Sequence, residues 1–273
     1  MGVKTVAEIG INHNGDINIA KDLIRLSSYY GFDYVKIQKR TPDICVPEDQ
    51  KHKRKETPWG EMSYIDYKHQ LEFSEDQIKE LVEYSSRYGL EFFASVWDRP
   101  SVDLMSRYTR IGKIPSALIV DLELCAYAKM QFETLIISTG MSTEQQIREC
   151  VIACNPDVIM HSNSTYPTPV SELNMRYISW LKQTYPDKAI GYSGHEKGIF
   201  PTLGSVALGV QWIERHVTMD KKMWGSDQKS SLDTSEMHDL IQGIREIEQS
   251  LQQEPGPRQI TLSEKEKMRT LRK

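Results

Sequence analysis

Two histidines within one short stretch carry the chemistry that is easiest to name. Ile190 to Asp227 reads IGYSGHEKGIFPTLGSVALGVQWIERHVTMDKKMWGSD. Ile190 to Ser193 predicts a short buried strand whose C-terminal end delivers His195. Phe200 to Leu208 is apolar and small, as a helix packed on a sheet should be. VQWIERH predicts a second strand that ends in His216. Neutral imidazole is a common metal ligand, and two at the C-terminal ends of adjacent parallel strands could share one divalent ion. An imidazole at a strand end is also an ordinary polar residue. The pair, in a strand-helix-strand frame, points to a site, because α/β barrels place their active sites at that face. An acidic loop ending at Asp227 follows.

Similar residues recur past the other apolar segments. Glu8 and Asn12 follow the first, and Lys36 and Gln38 come from the second. Lys113 and Ser116 come from the fourth, Ser138 and Thr139 from the fifth, and Ser162, Asn163 and Ser164 follow the sixth. Ser193 precedes His195. Two ammonium groups and several hydroxyls converging on one rim suit a phosphate or a carboxylate, the cations neutralising charge and the hydroxyls donating hydrogen bonds. A charge inside a strand pattern is costly when uncompensated, so Lys36 and Lys113 each need a partner. That partner is either a bound anion or an acid such as Glu8 in a rim salt bridge. No GxxxxGK[ST] or GxGxxG occurs, which argues against P-loop and dinucleotide sites.

The elements that would position these residues alternate strictly. Val3–Ile9 is a strand, and Ile17–Tyr30 has helical apolar spacing with Gly31 as its stop. Phe32–Gln38 is the second strand. Ser74 and Gln77 form a capping box for the next helix, which Gly89 ends. Strands follow at Leu90–Ser95, Tyr108–Ile114, Thr134–Ser138 and Asp157–His161. The helices between and after them are Pro100–Arg107, Asp121–Met130, one capped by Ser142 or Thr143, and Glu172–Thr184. With the strands before His195 and His216 and a last helix at Ser235–Leu251, there are eight strands and eight helices, the pattern of a (β/α)8 TIM barrel over residues 1–251. Residues 41–70 are too long for a simple connection and read as a lid or specificity insertion. Its basic run, Lys51 to Lys55, is either such a feature or a solvated charge cluster. The tail, 252–273, with Pro255-Gly256-Pro257 and a charged run, predicts a loop and a short surface helix. No second domain is expected.

At 273 residues the chain suits one such barrel. Its net charge of −4 argues against nucleic-acid binding, which calls for a basic stripe. The four cysteines form no CxxC, and Cys150 and Cys154 share a helix face, which suggests buried thiols in a reducing compartment. No signal peptide or long apolar run is apparent, so a cytoplasmic protein without membrane association is expected.

AEIGINHNGD, YVKIQ, KIPS, IISTGMS, HSNSTYPTP, IGYSGHE, ERHVT and WGSDQ, in this order, resemble the sialic acid synthase family over roughly the first 250 residues. The resemblance implies a phosphoenolpyruvate-dependent condensation with a hexosamine or related aldose, giving a nonulosonate and phosphate. It implies a divalent cation, usually Mn2+ with Mg2+ or Co2+ as alternatives, on His195 and His216. Lys36, Lys113, Ser116, Ser138, Ser164 and Ser193 match the phosphoenolpyruvate positions. Glu8, Gln38 and Asp227 would face the sugar and the reacting centre, with Glu8, Lys113, His195 and His216 as the catalytic set. A homodimer is expected. The chain departs from the family pattern at Ala117-Leu118, where an acid is usual at the second position, and at Ser193-Gly194-His195 and Trp224 to Gln228. It corresponds to the barrel alone, without the small antifreeze-like domain that many members carry. The alternatives are a related synthase for a different or phosphorylated aldose, and a catalytically silent sugar-binding barrel.

Overall fold

The computed structural model describes residues 2–252 and 256–272. Ten strands occur in chain order: β1 (Lys4–Gly10), β2 (Tyr34–Lys39), β3 (Arg54–Thr57), β4 (Gly60–Ser63), β5 (Glu91–Val96), β6 (Ile111–Ile114), β7 (Thr134–Ser138), β8 (Val158–Ser162), β9 (Ala189–Gly194) and β10 (Trp212–His216). Eight of them close a barrel in the order β1-β10-β9-β8-β7-β6-β5-β2, parallel throughout. The predicted (β/α)8 barrel is therefore the fold. The remaining two, β3 and β4, form a separate antiparallel hairpin within the insertion.

Side chains alternate across each strand, so every barrel strand has one inward and one outward row. The outward rows and the surrounding helices make the large apolar core. The inward rows begin with a second, smaller cluster: Val6, Phe93, Ile111, Ile136, Val158, Met160 and Trp212. This is the packed floor of the barrel. Two residues further along each strand, on the same face, stand Glu8, Ser95, Lys113, Ser138, Ser162 and Glu214, with Lys36 and Ser193 from the two other strands. The interior thus changes from apolar to charged in one step of the pleat.

The helices follow their local signals. Ile17–Tyr30 matches its predicted limits, with Asp16 accepting from the Asn18 amide and Gly31 left-handed at φ 86°. Ser74 with Gln77 and Thr143 with Gln146 form capping boxes, so Thr143 and not Ser142 is the cap. The helix predicted at Glu172–Thr184 spans only Tyr177–Thr184. Asn174 is left-handed at φ 44° and separates it from a 3-10 turn at Val170–Glu172. The fourth barrel strand shortens to Ile111–Ile114, because the Thr109 amide still bonds back to Met105 O at 2.9 Å. In the tail, Pro255 lies outside the described residues, and Leu262–Leu271 is the expected surface helix. Among the described residues no helix is long and apolar enough to cross a membrane.

The insertion folds into short helices at Pro42–Cys45 and Glu48–Lys51, the hairpin, and a helix at Tyr64–Leu71. Tyr67 and Leu71 pack on Ile11, joined by Met62, Tyr64 and Trp224. The insertion is tied to the loop after β10 by this cluster.

Gly112 lies on the outward row of β6, where a Cβ would stand 2.3 Å from Cδ2 of the buried Phe132. Gly112→Ala should therefore lower the unfolding free energy by about 1–3 kcal/mol, the usual effect of overpacking. Urea denaturation checks this, with the slope expected to stay as in the parent.

Candidate active site

The C-terminal mouth of the barrel encloses a cavity of ≈ 180 Å³. Glu8, Lys36, Gln38, Lys113, Ser116, Ser138, Ser164, Ser193, His195 and His216 all line it. Of the residues singled out from sequence, Asn12, Thr139, Asn163 and Asp227 do not. Asp227 stands behind His216, with its Oδ2 3.8 Å from His216 Nδ1.

At the bottom of the cavity lies a buried layer of four charges. Lys36 Nζ is 2.8 Å from Glu8 Oε2 and 3.6 Å from Glu214 Oε1. Lys113 Nζ donates to Glu214 Oε1 at 2.7 Å, and Ser193 Oγ donates to the same oxygen at 3.1 Å. Ser95 Oγ accepts from Lys36 at 2.7 Å. Of the two alternatives for the lysines, the acid partner is the one observed, and both lysines also line the cavity. Burial alone would push Glu214 up, but Lys113 and Lys36 hold its carboxyl down at about 2. Burial lowers Lys113, against the pull of Glu214. Opposed acids and bases make this layer neutral overall.

Hydroxyls form one side wall. The Gly140 N–H donates to Ser116 Oγ and to Ser162 Oγ, each at 3.1 Å, and these two oxygens are 3.1 Å apart. A Cβ at Gly140 would stand 2.3 Å from Ser164 Oγ and 2.9 Å from Ser116 Oγ. Only glycine leaves this cradle open. Three buried polar atoms on the cavity walls lack a hydrogen-bond partner: Ser138 Oγ, Glu214 Oε2 and His216 Nδ1. Such groups are rare in folded proteins unless a ligand meets them.

The two imidazoles stand at the ends of β9 and β10, next to this wall, with ring centres 5.4 Å apart. The Asn163 carbonyl lies 2.6 Å from His195 Nδ1 and fixes that nitrogen as the donor, leaving Nε2 as the acceptor. Tyr166 OH stands 3.0 Å from this Nε2, and its ring lies over the imidazole at 4.1 Å. Burial first, and His216 second, lower His195 to about 3, so it is neutral near pH 7. Nδ1 held by a carbonyl or faced by a carboxylate is the usual outer support of a metal-ligating histidine. Among the described residues no third His, Cys, Asp or Glu completes a metal cluster.

Sequence reasoning passed over Glu214, Tyr166 and the clamp behind the histidines. Glu214 was within reach of the alternation rule, since it lies two residues before His216 and so shares its face. Tyr166 reaches the cavity from a loop, where no periodicity applies. Between Glu214 and His216, on the outward row, Arg215 is fully buried. It pairs with Glu196 at 3.2 Å and donates to Gly198 O and Thr202 Oγ1, each at 2.8 Å. The loop that carries His195 is thereby fastened to the strand that carries His216. Leu118 packs against the outer core and does not line the cavity, whereas Pro115, Ser116 and Ala117 do. No residue of 41–70 lines it either, so the insertion braces the rim and does not cover the cavity floor.

Glu214→Gln would leave two buried lysines with a single acid. Unfolding free energy at pH 7 should fall by about 3 kcal/mol. Glu214 is depressed in the folded state, so its contribution is full above the ordinary carboxyl value of 4.5 and is lost as pH falls toward about 2. Denaturation of parent and variant across this range should show the gap between them narrowing below pH 4.5.

The chain matches the NeuB family over residues 23–255. It is 35% identical over 261 residues to N-acetylneuraminate-9-phosphate synthase of Mus musculus, covering 90% of this chain and 70% of that protein. It is 32% identical over 278 residues to N,N'-diacetyllegionaminic acid synthase of Campylobacter jejuni, covering 98% and 82%. The crystal structure of N-acetylneuraminic acid (sialic acid) synthetase from Leptospira borgpetersenii, in complex with citrate, superposes with a TM-score of 0.87 at 27% identity, covering 99% of this chain and 91% of that one. A truncated 3-deoxy-D-arabino-heptulosonate 7-phosphate synthase from Thermotoga maritima shares the fold at a TM-score of 0.67 and 14% identity. With the match extending through every barrel strand from β2 onward, this chain belongs to the NeuB family.

Proposed function

We propose that the chain joins phosphoenolpyruvate to the aldehyde carbon of a hexosamine or related aldose, forming a nonulosonate and releasing phosphate. The observation that carries the reading is one cavity that brings two lysines and a row of hydroxyls together with two imidazoles. Relatives named as sialic, legionaminic and pseudaminic acid synthases support it. Their names include both phosphorylated and unphosphorylated products, so kinship leaves the sugar open.

Each wall has a task that its chemistry suits. Ser116, Ser162 and Ser164 donate hydrogen bonds to phosphate oxygens in the cradle beside Gly140, and Lys36 and Lys113 supply positive charge below. Carbon three of phosphoenolpyruvate attacks the aldehyde carbon, positive charge develops at carbon two, and water adds there. Phosphate then leaves with cleavage of its bond to carbon two. Glu8, held by Lys36 and by Gln38 Nε2 at 3.4 Å, presents a carboxylate to that cation. Lys113 stabilises the negative charge on the departing phosphate.

Manganese is the ion proposed for His195 and His216, with magnesium or cobalt as alternatives. The donors fit. The two imidazoles, with ring centres 5.4 Å apart, would hold one ion between them, and His195 is neutral with its Nδ1 already engaged. When bound, the ion supplies Lewis acidity to the aldehyde oxygen. Tyr166 orients the His195 ring, and Asp227 faces His216 Nδ1.

Phosphate release from phosphoenolpyruvate, measured with a panel of aldoses with and without manganese, tests the function. No release with any aldose would overturn it. His216→Ala should lose bound divalent ion, measured by equilibrium dialysis, together with activity. A variant that keeps full activity in chelator would remove the metal from the proposal. Gly140→Ala should raise the Michaelis constant for phosphoenolpyruvate about tenfold, because its methyl group displaces the hydroxyls that donate to the phosphate. Unchanged kinetics would place the phosphate elsewhere.

A further inference from the structure

We infer that the rim built by the insertion and the end of β2 binds a second anion, a phosphate monoester at the far end of the sugar. The aldose used by this chain is then a phosphorylated one. The inference rests on the condensation proposed above and names its substrate class.

Three cations meet on this rim. Lys55 Nζ lies 4.9 Å from the Tyr67 ring centre and 5.7 Å from that of Trp224. Lys68 Nζ lies 5.3 Å from the same Tyr67 ring and 5.1 Å from Tyr64. Arg40 stacks over Trp97 at 4.4 Å and donates to Gln38 Oε1. Their counter-charge is short. Among the described residues neither Lys55 nor Lys68 has a carboxylate within 4.0 Å, whereas their neighbours Lys51 and Arg54 pair with Glu48 and Glu61. Glu72 is the partner of Arg40, at 3.3 Å, but it also serves Lys39 at 2.8 Å. Asp227 is the other acid acting on Lys68, and it already faces His216.

This surplus is not spread over a solvated face. Lys68 is largely withdrawn from water, and burial, with Arg40 and Lys55 adding to it, lowers it to about 8. A bound dianion would relieve that repulsion, since an opposite charge favours the ionised ammonium. A phosphate monoester carries about −1.5 to −2 charges near neutral pH. The rim is continuous with the cavity, because Gln38 lines the cavity and bonds Arg40, and Tyr67 packs on Trp224 with ring centres 5.3 Å apart. An open-chain hexose bound with its aldehyde at the imidazoles would reach this rim with its terminal oxygen.

The test compares kcat/KM for an N-acylhexosamine 6-phosphate with that for the same sugar unphosphorylated, in the parent and in a Lys55→Met, Lys68→Met double variant. The parent should favour the phosphorylated sugar about tenfold or more, and the double variant should lose most of that preference. Lys68→Arg should keep it, which separates charge from packing. A parent that favours the unphosphorylated sugar, or a preference that survives in the double variant, overturns the inference. Calorimetric titration of the sugar phosphate without phosphoenolpyruvate reads the site apart from turnover. Binding weakened in the double variant supports the site and equal binding overturns it, whereas failure to release phosphate with either sugar counts against the condensation.

Discussion

The mouth of this barrel depends on one constraint: four buried charges that must balance. Glu8 and Glu214 face Lys36 and Lys113 with almost no solvent to screen them. Any one of them alone would be expelled or neutralised, since an unpaired ion in such surroundings is very costly. Together they form a layer in which every acid has a lysine partner without a ligand. The arrangement follows from the pleat. Each charge stands on the inward row, one step above an apolar floor residue of its strand. The floor, made of Trp212, Phe93, Ile136 and their neighbours, closes off water from below and leaves the cavity as the one open side of the charged layer.

The imidazole wall is positioned by different means. His195 is oriented by a carbonyl on one nitrogen and a tyrosine hydroxyl on the other. His216 sits at the end of β10, whose outward Arg215 is locked into a network with Glu196, Thr202 and Gly198. One strand therefore contributes Glu214 to the charge layer, Arg215 to the scaffold and His216 to the chemistry. Functional precision here is a property of backbone registration as much as of the side chains that touch the cavity.

Much of this was legible in the chain itself. Strand and helix alternation showed through because the barrel strands are short apolar runs and the helices carry strong caps such as Ser74 and Thr143. Residues at strand ends could be assembled into one site because the fold sends all C-terminal ends to one face. What escaped notice had physical reasons. Glu214 lies inside a strand rather than at its end, where the candidate residues were sought, although its spacing from His216 puts it on the inner face. Tyr166 depends on the path of a loop, which no repeat encodes. Asn174 interrupted a helix whose apolar spacing otherwise continued. The insertion carried aromatic residues suited to covering a sugar, but Tyr67 is used on Trp224, a contact between segments more than 150 residues apart that local pattern cannot reveal.

The separate hairpin in the insertion has a consequence for how such a chain can vary. β3 and β4 hydrogen-bond only to each other, so the barrel ladder does not run through them. Residues could be added or removed at the hairpin turn without moving a single barrel strand out of step. A one-residue deletion between Glu214 and His216, by contrast, would remove Arg215 itself and turn either the acid or the imidazole toward the outer core. Length variation among descendants of this sequence should therefore concentrate at the hairpin, leaving the rim free to drift in shape and charge while the catalytic floor stays fixed.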